Sequence, residues 1–241
     1  MSGLSLAPNQ TAALTLDFSN PIAISRLLDS TLLRADASEK DIVKLCEDAV
    51  QFAFATVFVH PSYAALAANL LRGSQVKLGV PVGFPFGANT TTLKRLEAEE
   101  MLLAGAQELD MVLNLGALKS RNRTRVQSDI AGVMEVARHG GAILKVILET
   151  PLLSVDEKIL ACELAVAAGA DFVKTATGLC GGATVADVSL MRGVVGGRAG
   201  VKASGGIRML ADVISMVEAG ATRIGTSTAV EIMRQLSALN R

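Results

Sequence analysis

The 241-residue sequence has no excess of charge of either sign and no long apolar run. Lys plus Arg and Asp plus Glu are balanced at 23 each, so net charge favours neither nucleic acid nor an anionic membrane as a partner. Apolar runs such as AILKVIL are interrupted by charge before they reach the roughly 20 residues that a membrane span requires. These absences favour a protein that acts on small molecules, with no nucleic-acid or membrane partner.

Targeting and disulfide signals are also missing. The first 25 residues contain no Lys or Arg, so they lack the charged start of a signal peptide and the Arg-rich character of a transit peptide. The three cysteines, Cys46, Cys162 and Cys180, are odd in number and far apart, which provides neither a disulfide framework nor a zinc spacing. We expect a cytoplasmic protein with three buried cysteines.

Metal and dinucleotide motifs are absent as well. There is no HExxH motif, and His60 and His139 are too far apart in the chain to suggest a pair of metal ligands. No glycine-rich dinucleotide fingerprint follows the first strand candidate, which argues against a doubly wound open sheet. We therefore expect neither a metal nor a cofactor.

Short runs rich in Val and Ile alternate with longer segments of helical period, which predicts a parallel sheet with helices packed outside it. Three near-repeated phrases, AGAQELD, AGADFVK and AGATRIG, place glycines at 105, 169 and 220, where each would end a helix before a strand. Each interval between them holds two such units. The strand candidates are 27–33, 55–59, 76–82, 108–114, 142–148, 171–176, 200–204 and 222–226.

Eight strand–helix units in about 215 residues are typical of a (β/α)8 TIM barrel. We predict an α/β fold consisting of one such barrel over residues 21–241, preceded by a short N-terminal extension over residues 1–20. In these barrels the loops after the strands form the active face, so charged residues within the strands are candidates for function.

Four charged residues lie inside strand candidates with apolar neighbours: Asp110, Lys145, Lys174 and Lys202. If they point into the barrel, three lysines share one pocket with one carboxylate. The alternative is that some of the lysines point outward and extend through the helix layer to solvent.

Converging lysines suit covalent chemistry on a carbonyl group. A lysine with a pKa of about 10.4 is almost fully protonated at pH 7, whereas only the neutral amine attacks a carbonyl. A second cation nearby and partial desolvation lower that pKa. We predict that Lys174 forms a Schiff base, that Lys202 lowers its pKa and that Asp110 moves protons, with no metal required.

Small residues follow the last three strands, in the segments Thr177-Gly178, Ser204-Gly205-Gly206 and Gly225–Thr228. Free backbone amides and hydroxyls at helix starts bind phosphate, and the loops after the seventh and eighth strands form the usual phosphate site of these barrels. The glycines could instead make only tight turns. Because three adjacent loops share the feature, we favour phosphate binding.

Five segments together resemble the deoxyribose-phosphate aldolase family in order and spacing: GFPFGANTT (83–91), LDMVLNLGALKS (109–120), LKVILET (144–150), DFVKTATG (171–178) and VKASGGIR (201–208). The resemblance covers residues from about 25 to 235. It implies reversible cleavage of 2-deoxy-D-ribose 5-phosphate to acetaldehyde and D-glyceraldehyde 3-phosphate, by a class I aldolase of deoxynucleoside breakdown.

The resemblance also implies residue roles. Lys174 would be the Schiff-base lysine, Lys202 its perturbing partner and Asp110 the proton donor and acceptor. The predicted substrate- and phosphate-binding residues are Asp29, Lys145, Thr177, Gly178, Gly205, Gly206 and Ser227.

The sequence departs from the family at several positions. Ser30 replaces the histidine of an Asp-His-Thr segment, and Phe58-Val59-His60-Pro61 stands where the family usually has Cys-Val-Asn-Pro. Some members end with a tyrosine, whereas the single tyrosine here is Tyr63. These changes bear on substrate fit and rate.

Two other functions stay open. The chain could be an imine-forming aldolase of the same architecture that acts on another sugar phosphate or on a keto-acid phosphate. It could also be a non-catalytic phosphate-binding barrel, for which we expect at least one of Asp110, Lys174 and Lys202 to be missing. A homo-oligomer, either a dimer or a tetramer, is compatible with the sequence, which does not report the oligomeric state.

Overall fold

Eight parallel strands close into a barrel in which each strand pairs with the next along the chain and the last pairs with the first. The computed structural model describes residues 20–239. Every strand candidate contains one of the observed strands, so the predicted TIM barrel is confirmed. The strands are β1 (Leu28–Leu32), β2 (Thr56–Val59), β3 (Lys77–Val82), β4 (Glu108–Val112), β5 (Ile143–Ile147), β6 (Phe172–Lys174), β7 (Gly200–Ser204) and β8 (Arg223–Thr226).

Helices connect the strands and cover the outside of the barrel. One short helix precedes β1 and is capped by Asn20, while the rest of the predicted extension lies outside the described residues. The helices are α1 (Pro21–Ser25), α2 (Glu39–Phe52), α3 (Ala64–Leu70), α4 (Thr91–Leu103), α5 (Leu115–Lys119), α6 (Arg123–His139), α7 (Val155–Ala167), α8 (Val185–Val195), α9 (Leu210–Glu218) and α10 (Ala229–Leu239).

Local sequence signals set several helix boundaries. Ser38 and Asp41 form a capping box at the start of α2, and Ser154 and Glu157 form another at the start of α7, because each pair satisfies backbone N–H groups that the first helical turn leaves free. The glycine after α4, Gly105, has a φ of +102°, a conformation that favours glycine. The repeated Ala-Gly-Ala phrases therefore end helices as predicted.

The strands alternate between an apolar outer face and a polar inner face. On β7, Val201 and Ala203 join the hydrophobic core under the helices, whereas Lys202 between them points into the barrel and contacts Asp110. This alternation, which follows from the two-residue period of a strand, places the charged residues of β4, β5, β6 and β7 on one enclosed surface.

Two smaller expectations have different outcomes. Cys46 and Cys162 are buried, and burial raises the pKa of their thiols to about 11 and about 12. Cys180 is exposed, so its predicted burial is wrong, because it lies in the loop after β6 and not under a helix.

Within residues 20–239, none of the helices is long and apolar enough to cross a membrane.

Candidate active site

Three lysines on three successive strands converge on the carboxylate of Asp110. Lys174 Nζ and Lys202 Nζ each lie 2.8 Å from Asp110 Oδ2, and Lys145 Nζ lies 3.1 Å from Oδ1. Strand register explains the convergence, because Asp110 pairs with Lys145 across β4 and β5, and Lys174 pairs with Lys202 across β6 and β7. All three lysines therefore point inward, and the outward alternative is excluded.

A second set of charged residues, Asp29, Glu108 and Arg223, contacts this cluster inside the barrel. Arg223 Nε lies 3.0 Å from Asp29 Oδ1 and its Nη2 lies 2.9 Å from Glu108 Oε2. Asp29 in turn lies 2.5 Å from Lys202 Nζ, and Glu108 pairs with Lys145. The ion pairs thus form a closed ring through the central carboxylate. The ring and Lys174 contain four basic groups and three carboxylates, which leaves an excess of basic groups in a buried space.

The electrostatics of the cluster distinguish its members. Burial opposes ionisation of Asp110, but the three surrounding ammonium groups outweigh burial and hold the pKa of its carboxyl well below the usual value. For Lys202 burial dominates over the neighbouring carboxylates, and the pKa of its amine falls to about 8. Lys145 is also buried, yet Asp110 and Glu108 outweigh burial and raise its pKa. Of Asp110, Lys145 and Lys202, the group whose pKa lies nearest to neutral pH is therefore Lys202.

The position of Lys174 at the last residue of β6 gives it access to solvent. A cavity of about 210 Å³ opens at the carboxyl ends of the strands, and Lys174 is the one lysine that lines it among the described residues. Lys145 and Lys202 lie in the middle of their strands and are at most 1% exposed. Of the three lysines, only Lys174 is therefore open to a molecule in this cavity. The predicted influence of Lys202 on the reactivity of Lys174 stays a prediction.

Asp29 and Lys145 do not line the cavity, although the sequence analysis assigns both to substrate binding. Each is fully buried and already paired, Asp29 with Lys202 and Arg223 and Lys145 with Glu108 and Asp110. Both side chains hold the charged cluster in place through these ion pairs, and their assignment to substrate binding stays a prediction.

The glycine and hydroxyl residues predicted to bind phosphate do line the cavity: Thr177, Gly178, Gly205, Gly206 and Ser227. The rest of the lining, apart from Lys174, consists of Thr31, Leu33, Ser204, Ile207, Arg208, Gly225 and Thr226.

Close packing of two loops explains one of these glycines. A Cβ atom at Gly205, where φ is +91°, would lie 2.9 Å from the Cα of Gly182 and 3.2 Å from that of Gly178. A side chain at this position would push apart the loops after β6 and β7. The glycine sequence therefore serves packing as well as the bare backbone surface of the cavity.

Hydrogen bonds anchor this cavity wall. Glu149, which is 1% exposed, accepts hydrogen bonds from the backbone N–H and the hydroxyl of Thr177. Thr226 Oγ1 donates to the carbonyl of Ile207, and Thr228 Oγ1 donates to that of Arg208. The loops after β6, β7 and β8 are thus held to neighbouring elements.

Sequence reasoning did not single out Arg208, Arg223, Glu108 or Glu149. Arg208 lines the cavity, and its guanidinium is a suitable partner for an anion. The two-residue strand period could have found Glu108, because it lies on the same face of β4 as Asp110. Arg223 begins β8, and an arginine at the start of a strand is ordinarily read as a surface residue.

The family departures lie around the same barrel. His60 Nε2 lies 3.0 Å from the carbonyl oxygen of Leu33, a cavity residue, and the Tyr63 hydroxyl donates to the carbonyl of Ala37. Ser30 and Phe58 are buried. Among residues 20–239, no group of three or more His, Cys, Asp or Glu side chains is arranged to hold a metal ion.

The family model described as DeoC/LacD family aldolase matches residues 27–233. The chain belongs to the DeoC/LacD aldolase family. Deoxyribose-phosphate aldolase of Lysinibacillus sphaericus (strain C3-41) is 54% identical over 215 residues, which cover 89% of this chain and 96% of the relative. The enzyme of the same name from Streptococcus sanguinis (strain SK36) is 53% identical over 212 residues, covering 88% and 96%.

A solved structure agrees with the sequence relatives. Deoxyribose phosphate aldolase from Aeropyrum pernix, described as having a unique tetrameric structure, superimposes with a TM-score of 0.86 at 36% identity. The match covers 91% of this chain and 93% of that chain. The aldolase activity expected from the sequence is therefore supported by family, sequence and fold, which makes this chain a lyase.

Proposed function

We propose that the chain is a class I deoxyribose-phosphate aldolase, which reversibly cleaves 2-deoxy-D-ribose 5-phosphate to acetaldehyde and D-glyceraldehyde 3-phosphate. Identity of more than 50% over nearly the full length of relatives with that name supports the substrate. The observation that carries the mechanism is the placement of Lys174, which lines the cavity and lies 2.8 Å from Asp110. No cofactor is needed for this chemistry.

The proposed reaction begins when the neutral amine of Lys174 attacks C1 of the open-chain sugar. Loss of water forms an iminium ion, which withdraws electrons from the bond between C2 and C3. Asp110 is held in its ionised form and accepts the proton of the 3-hydroxyl as that bond breaks, either directly or through a water molecule. The product enamine takes a proton at C2, and hydrolysis of the resulting iminium ion releases acetaldehyde.

Lys202 is proposed to return protons during these steps. Its pKa of about 8 lies close to neutral pH, where a group both donates and accepts protons efficiently. Its contact with the same oxygen of Asp110 that Lys174 contacts connects the carboxylate to a second proton carrier. The absent family tyrosine is not required by this route.

The phosphate is proposed to bind at the glycine and hydroxyl loops. C5 of the sugar lies four carbons from C1, so a substrate attached to Lys174 extends toward Gly178, Gly205, Gly206 and Ser227 on the same cavity wall. Ser227 lies just before α10, whose first backbone N–H groups favour an anion. Arg208 provides a positive charge at the cavity edge.

We also propose that the chain forms a homo-oligomer. Leu93, Leu96 and Leu103 lie on one face of α4 and are 54%, 55% and 90% exposed, and the Aeropyrum pernix relative is described as tetrameric. Light scattering should show a mass above that of one chain. Leu96→Asp should reduce that mass, and a monomer at all concentrations would contradict the proposal. The cytoplasmic location stays a prediction from the sequence.

The substrate assignment is tested by incubating the purified protein with 2-deoxy-D-ribose 5-phosphate and coupling the release of D-glyceraldehyde 3-phosphate to a dehydrogenase. We expect cleavage, and the reverse reaction from the two aldehydes. Cleavage of a keto-acid phosphate without cleavage of deoxyribose 5-phosphate would favour the other imine-forming aldolase. Folded protein that cleaves neither would support the non-catalytic barrel, which the presence of all three catalytic candidates argues against.

A further inference from the structure

The ring of Phe58 lies against the ammonium groups of all three active-site lysines. Lys202 Nζ lies 3.8 Å from the ring centroid, Lys145 Nζ 4.9 Å and Lys174 Nζ 5.7 Å. Phe58 extends from β2, across the barrel from the strands that carry the lysines, and is 1% exposed. These distances lie within the roughly 6 Å over which the face of an aromatic ring attracts a cation.

The neighbouring strand is shaped to accept this ring. Gly79 on β3 pairs in register with Phe58, and a Cβ atom added at Gly79 would lie 2.6 Å from Cε1 of the ring. Real Cβ atoms do not approach other atoms so closely, so even an alanine at position 79 would displace the ring. The orientation of Phe58 over the lysines therefore depends on the absence of a side chain at Gly79.

Charged groups on five strands surround Lys202. Asp29 on β1 and Asp110 on β4 contact its ammonium at 2.5 Å and 2.8 Å. Lys145 on β5 and Lys174 on β6 share Asp110 with it, and Arg223 on β8 pairs with Asp29. The ring on β2 is the additional neighbour, and its electron-rich face compensates part of the repulsion from the two other ammonium groups.

We propose that Phe58 is a positioning residue that holds the Lys202 ammonium against Asp110 through a cation–π interaction and favours its protonated form. Phe58 touches no substrate atom and acts through Lys202. A residue that only filled the barrel interior would be replaceable by any side chain of the same size. Changing the electron density of the ring at constant size therefore distinguishes a cation–π contact from simple filling of the barrel interior.

The test replaces Phe58 with phenylalanine analogues that carry one, three and five ring fluorines, which weaken the electron-rich face with little change in size. The pKa of Lys202 is measured by NMR titration of lysines labelled with 13C at Cε, and the Lys202 signal is assigned by its absence in Lys202→Met. We expect the pKa to fall stepwise, by about half a unit to one and a half units over the series. Phe58→Leu should lower it as well.

The proposal fails if the pKa of Lys202 is the same in all fluorinated variants, provided that circular dichroism shows the native fold. It also fails if only Phe58→Leu shifts the pKa, because that result indicates packing alone. If Phe58→Leu does not fold, the pKa values of Lys202 in the fluorinated variants still test the proposal.

The relevance of Phe58 to turnover rests on the proposed function, because Lys202 is there a proton carrier. The basic limb of kcat against pH should then move to lower pH with each added fluorine. A basic limb that stays in place while the NMR pKa falls would contradict the link to turnover. Absence of sugar cleavage by the unsubstituted protein would refute the proposed function, but the NMR titration would still test the contact between Phe58 and Lys202.

Discussion

The barrel interior and the cavity mouth differ in how they are built. In the interior, ionised side chains are buried and paired, and each position depends on particular atoms of Asp110, Lys202 and their partners. At the mouth, glycines and hydroxyl residues line the cavity, and close packing of the loops sets its shape. We therefore expect interior substitutions to reduce kcat and mouth substitutions to raise KM.

The largest effect is expected from Asp110→Asn. The amide cannot accept a proton as the carboxylate does, so kcat should fall by about 10²- to 10⁴-fold, while KM for the phosphorylated sugar changes little. Asp129→Asn is the matched control, because Asp129 forms an equally buried ion pair with Lys94 outside the barrel interior. In that control, urea unfolding should show a loss of stability, whereas steady-state kinetics should show no loss of kcat. An equal fall in kcat for both variants would mean that burial of charge, and not position in the site, explains the effect.

Lys202→Leu should also reduce kcat strongly, since it removes the proposed second proton carrier. Lys174 would lose its cationic neighbour in the same variant, so imine formation should require a higher pH. Borohydride trapping as a function of pH measures this shift independently of turnover. An unchanged trapping profile would show that Lys202 does not influence Lys174.

A substitution at the mouth should separate binding from chemistry. Gly205→Val should raise KM for deoxyribose 5-phosphate by at least about tenfold and change turnover of unphosphorylated deoxyribose little, because the side chain would push against Gly182 and Gly178. Gly197→Val is the control, since nothing lies within 4 Å of a Cβ at that position and Gly197 does not line the cavity. Equal losses on the two sugars would argue against a phosphate site.

Acid should lower the free energy of unfolding through the buried carboxylates of the interior. The pKa values of Asp29 and Asp110 are lowered in the folded protein, so the unfolded chain binds more protons as the pH falls below about 4. Their contribution to the free energy of unfolding is complete above that pH and is lost as the pH falls through the lowered values. Urea unfolding from pH 6 to pH 3 should show this loss, and Asp110→Asn should show a smaller one. A pH slope in Asp110→Asn as steep as that of the unsubstituted protein would contradict the pKa assignment.

Chelation is expected to have the smallest effect. The iminium ion itself withdraws electrons in the proposed mechanism, so activity should be unchanged in EDTA. The assay is cleavage of deoxyribose 5-phosphate before and after dialysis against the chelator. Loss of activity that a divalent ion restores would contradict the class I mechanism.

The sequence predicts which side chains point into the barrel better than it predicts how deeply each one is buried. Strand periodicity places Asp110, Lys174 and Lys202 inside the barrel, and the structure confirms this. It cannot show that Lys145 and Asp29 are fully buried and do not line the cavity, because depth depends on strand stagger and on partners distant in sequence. Arg223 illustrates the same limit, since its partner Asp29 is 194 residues away.

The composition of the cavity mouth follows from residue type and from position after the strands. Glycines and hydroxyl residues after three adjacent strands indicated an anion site, and those residues line the cavity. The contact of Gly205 with Gly182 could not be predicted, because it joins two loops whose paths the sequence does not specify. Whether phosphate binds there stays a prediction.

Borohydride trapping tests the central claim most directly. Sodium borohydride added during turnover of deoxyribose 5-phosphate should reduce the iminium ion to a stable secondary amine, and peptide mass mapping should place that adduct on Lys174. Lys174→Ala should form no adduct and should be inactive, because no other lysine lines the cavity among the described residues. An adduct on Lys202 or Lys145, or turnover by Lys174→Ala, would contradict the account.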